Sequence, residues 1–149
     1  MKNYKKNERY SELMDKLKKS IEEEFYYESI FIIYAIMEDR TESMLRHANI
    51  ETVDEDDRDL SLHDKLKILK KDNAFDQDYI KKHLSKGLIK QIYIWKHKRN
   101  DLIHDLVNAE YDNEEIEKLA FEGYEIVKQL NNKSTLINKY NDKVLSSNN

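Results

Sequence analysis

The chain contains no cysteine, which removes disulfides, cysteine-ligated zinc and thiol nucleophiles from consideration and is compatible with a cytoplasmic location. Proline is also absent, and glycine occurs only as Gly87 and Gly123. Hairpins rely on Gly, Pro or Asn-Gly turns between alternating apolar runs, and no such arrangement occurs, so a sheet protein is not expected. Long apolar runs are missing too. The longest nearly unbroken one, Ile30–Met37, spans eight residues, against the ~20 that a membrane-crossing helix needs. Met1–Lys6 is polar and basic with no apolar stretch behind it, so no secretory signal is expected. These absences together point to a soluble, cytoplasmic protein with no membrane partner. No internal repeat or domain-scale linker interrupts residues 1–149, which are expected to form a single helical domain with a disordered tail over about residues 145–149.

What is present is helical spacing. Ile30, Ile33, Met37, Met44 and Ala48 follow three- and four-residue steps, and Phe31, Ala35 and Leu45 widen the stripe. Apolar residues on more than one face between Phe25 and Met37 mark a central helix with several neighbours. The expected architecture is all-α, an antiparallel bundle of about five to six helices. A helix over about Ser11–Glu24 runs directly into, or stops just before, one over Tyr26–Ala48. The acidic segment Asn49–Leu60 is a loop, and Ser61 caps a short helix to about Lys71, with Asp64 three residues on. Asp76 or Asp78 opens another short helix ending near Leu84, and a longer helix follows from Ser85 to about Val107. Asp112 caps the last major helix, where Ile116, Leu119, Gly123, Ile126 and Leu130 repeat on one face; Leu136, Tyr140 and Val144 extend it before fraying from Ser146.

The net charge of −4 argues against a generic nucleic-acid binder, but the charge is unevenly spread. Between Ile80 and Asn100 there is no acidic residue, while Lys81, Lys82, Lys86, Lys90, Lys96, Lys98 and Arg99 are basic, with His83, His97, Tyr93 and Trp95 interleaved. Such a stretch can track phosphates, and Lys90, Lys96, His97 and Lys98 are the candidate RNA contacts. The alternative is an ordinary solvated helix face.

The basic stretch ends in Arg99-Asn100-Asp101-Leu102-Ile103-His104. This segment resembles the signature of the HEPN superfamily, an arginine followed by a polar residue and then, after four to six intervening positions, a histidine. The short all-helical context, with the motif in the second half and a long helix behind it, resembles the same family. Asn100 and His104 are four apart and share a helix face, while Arg99 is offset by about 100° from Asn100 but has the longest reach. Leu102 and Ile103 are read as core-facing filler. Cleaving RNA through its own 2′-hydroxyl needs proton removal, proton donation and stabilisation of a charged phosphorane. Histidine suits the first two and the arginine fork the third, while Asn100 can orient the imidazole or hold a phosphate oxygen. The catalytic candidates are therefore Arg99, Asn100 and His104, and this chemistry needs neither metal nor cofactor. One motif is incomplete as an acid–base pair; the resemblance implies a homodimer in which two motifs face one cleft. It further implies an RNA substrate, a role in phage defence or as a toxin, and an antitoxin or defence-system partner. HEPN toxins paired with a nucleotidyltransferase antitoxin often carry a tyrosine two residues after the histidine; Leu106 stands here instead, so that particular partner has no basis in this chain. The alternative function is a non-catalytic HEPN module that binds RNA or nucleotides or serves to dimerise, and a third is a plain helical interaction protein that docks through the acidic loop.

The same spelling recurs at Arg58-Asp59-Leu60-Ser61-Leu62-His63, where Arg58 is read as offsetting the carboxylates of the Glu51–Asp59 loop. Glu38 and Glu42 are read as a solvated face rather than a metal or partner site, and Asp54–Asp59 lacks the spacing of a calcium loop. Tyr26, Tyr27 and Tyr34 are read as core and interface aromatics. His47, His63, His83 and His97 show no metal-ligand spacing.

Overall fold

A computed structural model describes residues 2–71, 85–108 and 112–147, with side chains over 8–46, 48–71, 85–108 and 112–130. Among the described residues there are five helices, α1 (Lys2–Glu22), α2 (Tyr26–His47), α3 (Leu62–Lys70), α4 (Lys86–Asn108) and α5 (Asn113–Ser147). The all-α bundle expected from the periodicity is the observed fold. The helix anticipated between Asp76 and Leu84 lies outside the described residues. At the C-terminal end helix continues to Ser147, past the point where fraying was expected. Among the described residues no helix is long and apolar enough to cross a membrane.

Helix ends are closed without glycine or proline. After α1, Glu24 takes a left-handed backbone (φ 63°). Phe25 N–H then reaches back to Ser20 O at 2.8 Å and Glu24 N–H to Ile21 O at 3.2 Å. After α2, Asn49 (φ 58°) does the same, with Ile50 N–H to Leu45 O at 2.9 Å and Asn49 N–H to Arg46 O at 3.0 Å. Both are paired bonds that satisfy last-turn carbonyls, and the glutamate carries the steric cost a glycine would avoid. The first of them separates α1 from α2 and settles the question of a continuous helix. A buried pair of hydroxyls, Ser20 Oγ and Ser29 Oγ at 2.7 Å, then ties the two helices across that turn.

Ser61 and Asp112 cap helices as read from the sequence, and Ser85, expected only as a helix start, caps one too. Ser61 Oγ accepts from Asp64 N–H at 3.2 Å, Ser85 Oγ from Leu88 N–H at 3.1 Å, and Asp112 Oδ1 from Glu114 N–H at 3.1 Å. The loop between α2 and α3 is pinned by an isolated antiparallel bridge, Val53 to Asp59. Asp54 accepts from the backbone of Asp56 and Arg58, and the Arg58 side chain bridges Asp54 and Asp56.

Helix α2 is central and contacts all four other helices. Its Ile33, Ile36, Met37, Met44 and Leu45 are buried with Leu17 of α1, Leu62 and Leu66 of α3, Ile92 and Trp95 of α4, and Leu119, Val127 and Leu130 of α5. Phe31 departs from expectation: it is 72% exposed rather than part of the stripe. The seam that places α4 is made by Trp95. Its indole N–H donates to Leu119 O at 2.8 Å, and its ring lies over Gly123. A Cβ at position 123 would meet Trp95 Nε1 at 2.7 Å and Ile33 Cγ2 at 2.9 Å. Both neighbours are packed core atoms and cannot yield cheaply. Gly123→Ala is therefore expected to destabilise the fold by about 1–3 kcal/mol, because overpacking costs that much in a filled core. Urea unfolding monitored by tryptophan fluorescence checks this, and unchanged stability would contradict the close approach.

Candidate functional site

Successive residues on an α-helix point about 100° apart, so charges that are contiguous in sequence spread around the cylinder. Helix α4 shows the consequence. Lys90 is exposed, and His97 is exposed with its ring edge-on to Tyr93 at 4.5 Å between centroids. Lys98 turns toward α5 and pairs with Glu122 at 3.2 Å. Lys96, taken from the sequence as a phosphate contact, is only 5% exposed, and its ammonium sits 2.8 Å from His63 Nδ1. The basic stretch is thus not a continuous stripe in space. Of the expected RNA contacts, Lys90 and His97 face outward, Lys98 is held in an ion pair, and Lys96 is withdrawn into the α3–α4 seam. The interleaved Trp95 is core.

The Arg99–His104 segment is divided by the same geometry. Arg99 is half-buried, with its guanidinium carbon 4.0 Å from the centre of the Tyr34 ring on α2. Its Nη1 donates to Asn100 Oδ1 at 3.2 Å. Five residues on, His104 leaves the helix about 140° away from Arg99. Its residue is exposed, and its imidazole makes no hydrogen bond among the described residues. Asn100, four before it, shares its face and therefore stands between the two, with its amide nitrogen left to donate elsewhere. Leu102 is buried as expected, but Ile103 is 43% exposed and Val107, one turn on, 83%. Tyr34 is pushed up from the ordinary phenol range, first by burial and then by Glu38, with Arg99 opposing. The groove of about 290 Å³ between α4 and α5 includes Lys98 and Lys118 but also four carboxylates, Asp101, Asp105, Glu115 and Glu122, and neither Arg99 nor His104 lines it. Its excess of carboxylates disfavours phosphate within the groove itself.

A second constellation was not anticipated. His63, the end of the repeated spelling in the acidic loop, is half-buried against α4, 5.6 Å from the Tyr93 ring and bonded to Lys96. Lys96 Nζ also lies 4.9 Å from the centre of that ring. Burial lowers the Lys96 ammonium from its ordinary value, and the nearby Lys96 charge in turn lowers His63 from 6.5. The two partners are 33 positions apart, so no local pattern joins them. A signal for half of the pair was present: Lys96 is four residues after Ile92 and seven after Ile89, both core residues, and so lies on the buried side of the helix. Arg58, by contrast, pairs with Asp54 and Asp56 as read from the sequence.

The remaining candidates have ordinary roles. Glu42 pairs with Arg46, while Asp39 pairs with Arg40, whose guanidinium stacks on Tyr10 at 4.0 Å. Tyr26 packs on Phe121 and donates to Glu117 at 3.3 Å. Among the described residues no group of three or more His, Asp or Glu side chains is placed to share a metal ion. His83 and the side chain of His47 lie outside the described residues.

Comparison with known proteins adds no relative: no protein-family model, curated protein or solved structure gives a significant match to this chain. The stacking of Arg99 on Tyr34 makes a direct prediction. Tyr34→Leu should cost about 0.5–2 kcal/mol through loss of the cation–ring contact, while Tyr34→Phe, which keeps the ring, should be near neutral. Paired chemical-denaturation curves decide it, and equal stability of the two variants would count against the contact.

Proposed function

We propose that the chain is a metal-independent endoribonuclease of HEPN type, acting in the cytoplasm as a homodimer. The observation that carries the reading is the Arg99-Asn100…His104 segment itself, with Asn100 bonded to the guanidinium on one side and an uncovered imidazole four residues along on the other. Stacking on Tyr34 occupies one face of Arg99 and leaves in-plane N–H groups for a phosphate oxygen. In the reaction His104 removes the 2′-hydroxyl proton. The 2′-oxygen attacks phosphorus, and the bond to the 5′-oxygen breaks as that oxygen receives a proton from the second copy's imidazole. The products are a 2′,3′-cyclic phosphate and a 5′-hydroxyl end. Arg99 and Asn100 hold the charge that grows on the non-bridging oxygens. Exposed Ile103 and Val107 beside His104 suit burial against a second copy, which would complete the acid–base pair. The biological setting that fits is phage defence or a toxin, with an antitoxin or other defence-system protein as partner.

One observation favours a second reading, a non-catalytic HEPN module that binds RNA or nucleotides, or serves to dimerise. Arg99 is turned toward α2 while His104 points away, so a single chain holds the two groups apart. Incubating purified protein with mixed RNA in EDTA separates the readings. The enzyme should cleave, and His104→Ala should lose about 10²–10⁴-fold of the rate. Equal cleavage by both proteins removes the catalytic assignment, and salt-dependent RNA binding without turnover leaves the module.

A further inference from the structure

We propose that the hydrogen bond between His63 and Lys96 is a proton-operated latch joining α3 to α4, closed while His63 is neutral and released when it is protonated. The argument starts from bonding capacity. An ammonium can only donate, so the contact of 2.8 Å requires His63 Nδ1 to accept, and the ring must be neutral with its proton on Nε2. A protonated imidazole carries N–H on both nitrogens and offers Lys96 nothing. Two positive groups would then face each other at that distance. Lys96 is 5% exposed, and the carboxylate that acts on it, Asp64, already accepts from Ser61 Oγ at 2.9 Å, so a repelled ammonium has little room for compensation in place. It must leave the seam, or α3 must move off α4.

The surrounding charges favour the neutral ring. From α4, Lys96 and His97 both oppose protonation of His63; from α3, Lys67 opposes it and Asp64 favours it. The Asp64 carboxylate is partly committed to Ser61 Oγ at 2.9 Å, at the start of α3. Tyr93 packs against both His63 and His97 and contributes its ring rather than a charge. Because the folded chain holds His63 below its ordinary 6.5, the unfolded chain binds its proton first. Stability from this group is complete above that value and is lost as pH falls from it toward the lower folded value. Lys96 is displaced in the same direction from a much higher starting point, so its cost is already present throughout the neutral range. The acid-side step belongs to His63. Helix α4 also carries Arg99, Asn100 and His104, so release would loosen the support of the candidate site. The latch itself does not depend on the ribonuclease reading.

The full chain tests this by imidazole NMR titration alongside thermal melts between about pH 7.5 and 5. Wild-type His63 should titrate below 6.5, and Lys96→Met, which removes the charge and keeps an apolar filler, should move it upward. His63→Gln, whose amide oxygen can still accept from Lys96 but does not titrate, should flatten the acid-side fall in Tm. A wild-type midpoint at or above 6.5, no movement in Lys96→Met, or an unchanged Tm profile in His63→Gln would each overturn the latch. Should the glutamine variant not fold, the titration of wild type against Lys96→Met decides alone.

Discussion

The placement of Trp95 on Gly123 governs everything this chain presents on α4. An indole packed with its N–H on the Leu119 carbonyl, at a position where the facing helix has no side chain, brings α4 and α5 closer than any other residue at 123 would allow. Ile33 of α2 closes the same gap from a third side. With three helices meeting at one ring, rotation of α4 about its axis is set by packing that tolerates little adjustment. That rotation decides which of its polar residues face α3, α2, α5 or solvent.

Once the rotation is set, the charges of α4 acquire distinct fates. Lys98 reaches Glu122 of α5, Arg99 rests on Tyr34 of α2, Lys96 is enclosed with His63 of α3, and His104 is left uncovered. These environments differ far more than the residue types do. An exposed lysine–glutamate pair contributes little, whereas a lysine taken out of water needs an acceptor and lowers the proton affinity of whatever supplies it. Asn100 and His104 stay exposed on α4 and lie outside the acidic groove that Asp101 and Asp105 form with α5.

Much of the fold was legible in the chain. Three- and four-residue apolar steps marked α2 and α5, and Ser61, Ser85 and Asp112 stood where helices begin. Less legible were the helix ends at Glu24 and Asn49, because a left-handed residue other than glycine leaves no compositional trace. Phe31 and Ile103 illustrate a different limit. Periodicity gives the direction of a side chain, not whether another helix is there to cover it. α3 has nine residues against the twenty-three of α4, so much of α4 runs past it. The candidate site divides along the same line. Its residues and spacing were readable, whereas the stacking of Arg99, the burial of Lys96 and the recruitment of His63 were not.

By itself, the amino-acid order determined helix content, the starts of α2 to α5 and the proximity of Arg99, Asn100 and His104 along one helix, since these follow from interactions within a few turns; α1 begins at Lys2, ahead of the expected Ser11. Only the tertiary structure decided which charges remained available, because burial and pairing depend on partners tens of residues away. His63 and Lys96 met through packing of α3 on α4, and no spacing rule within either segment specifies that meeting.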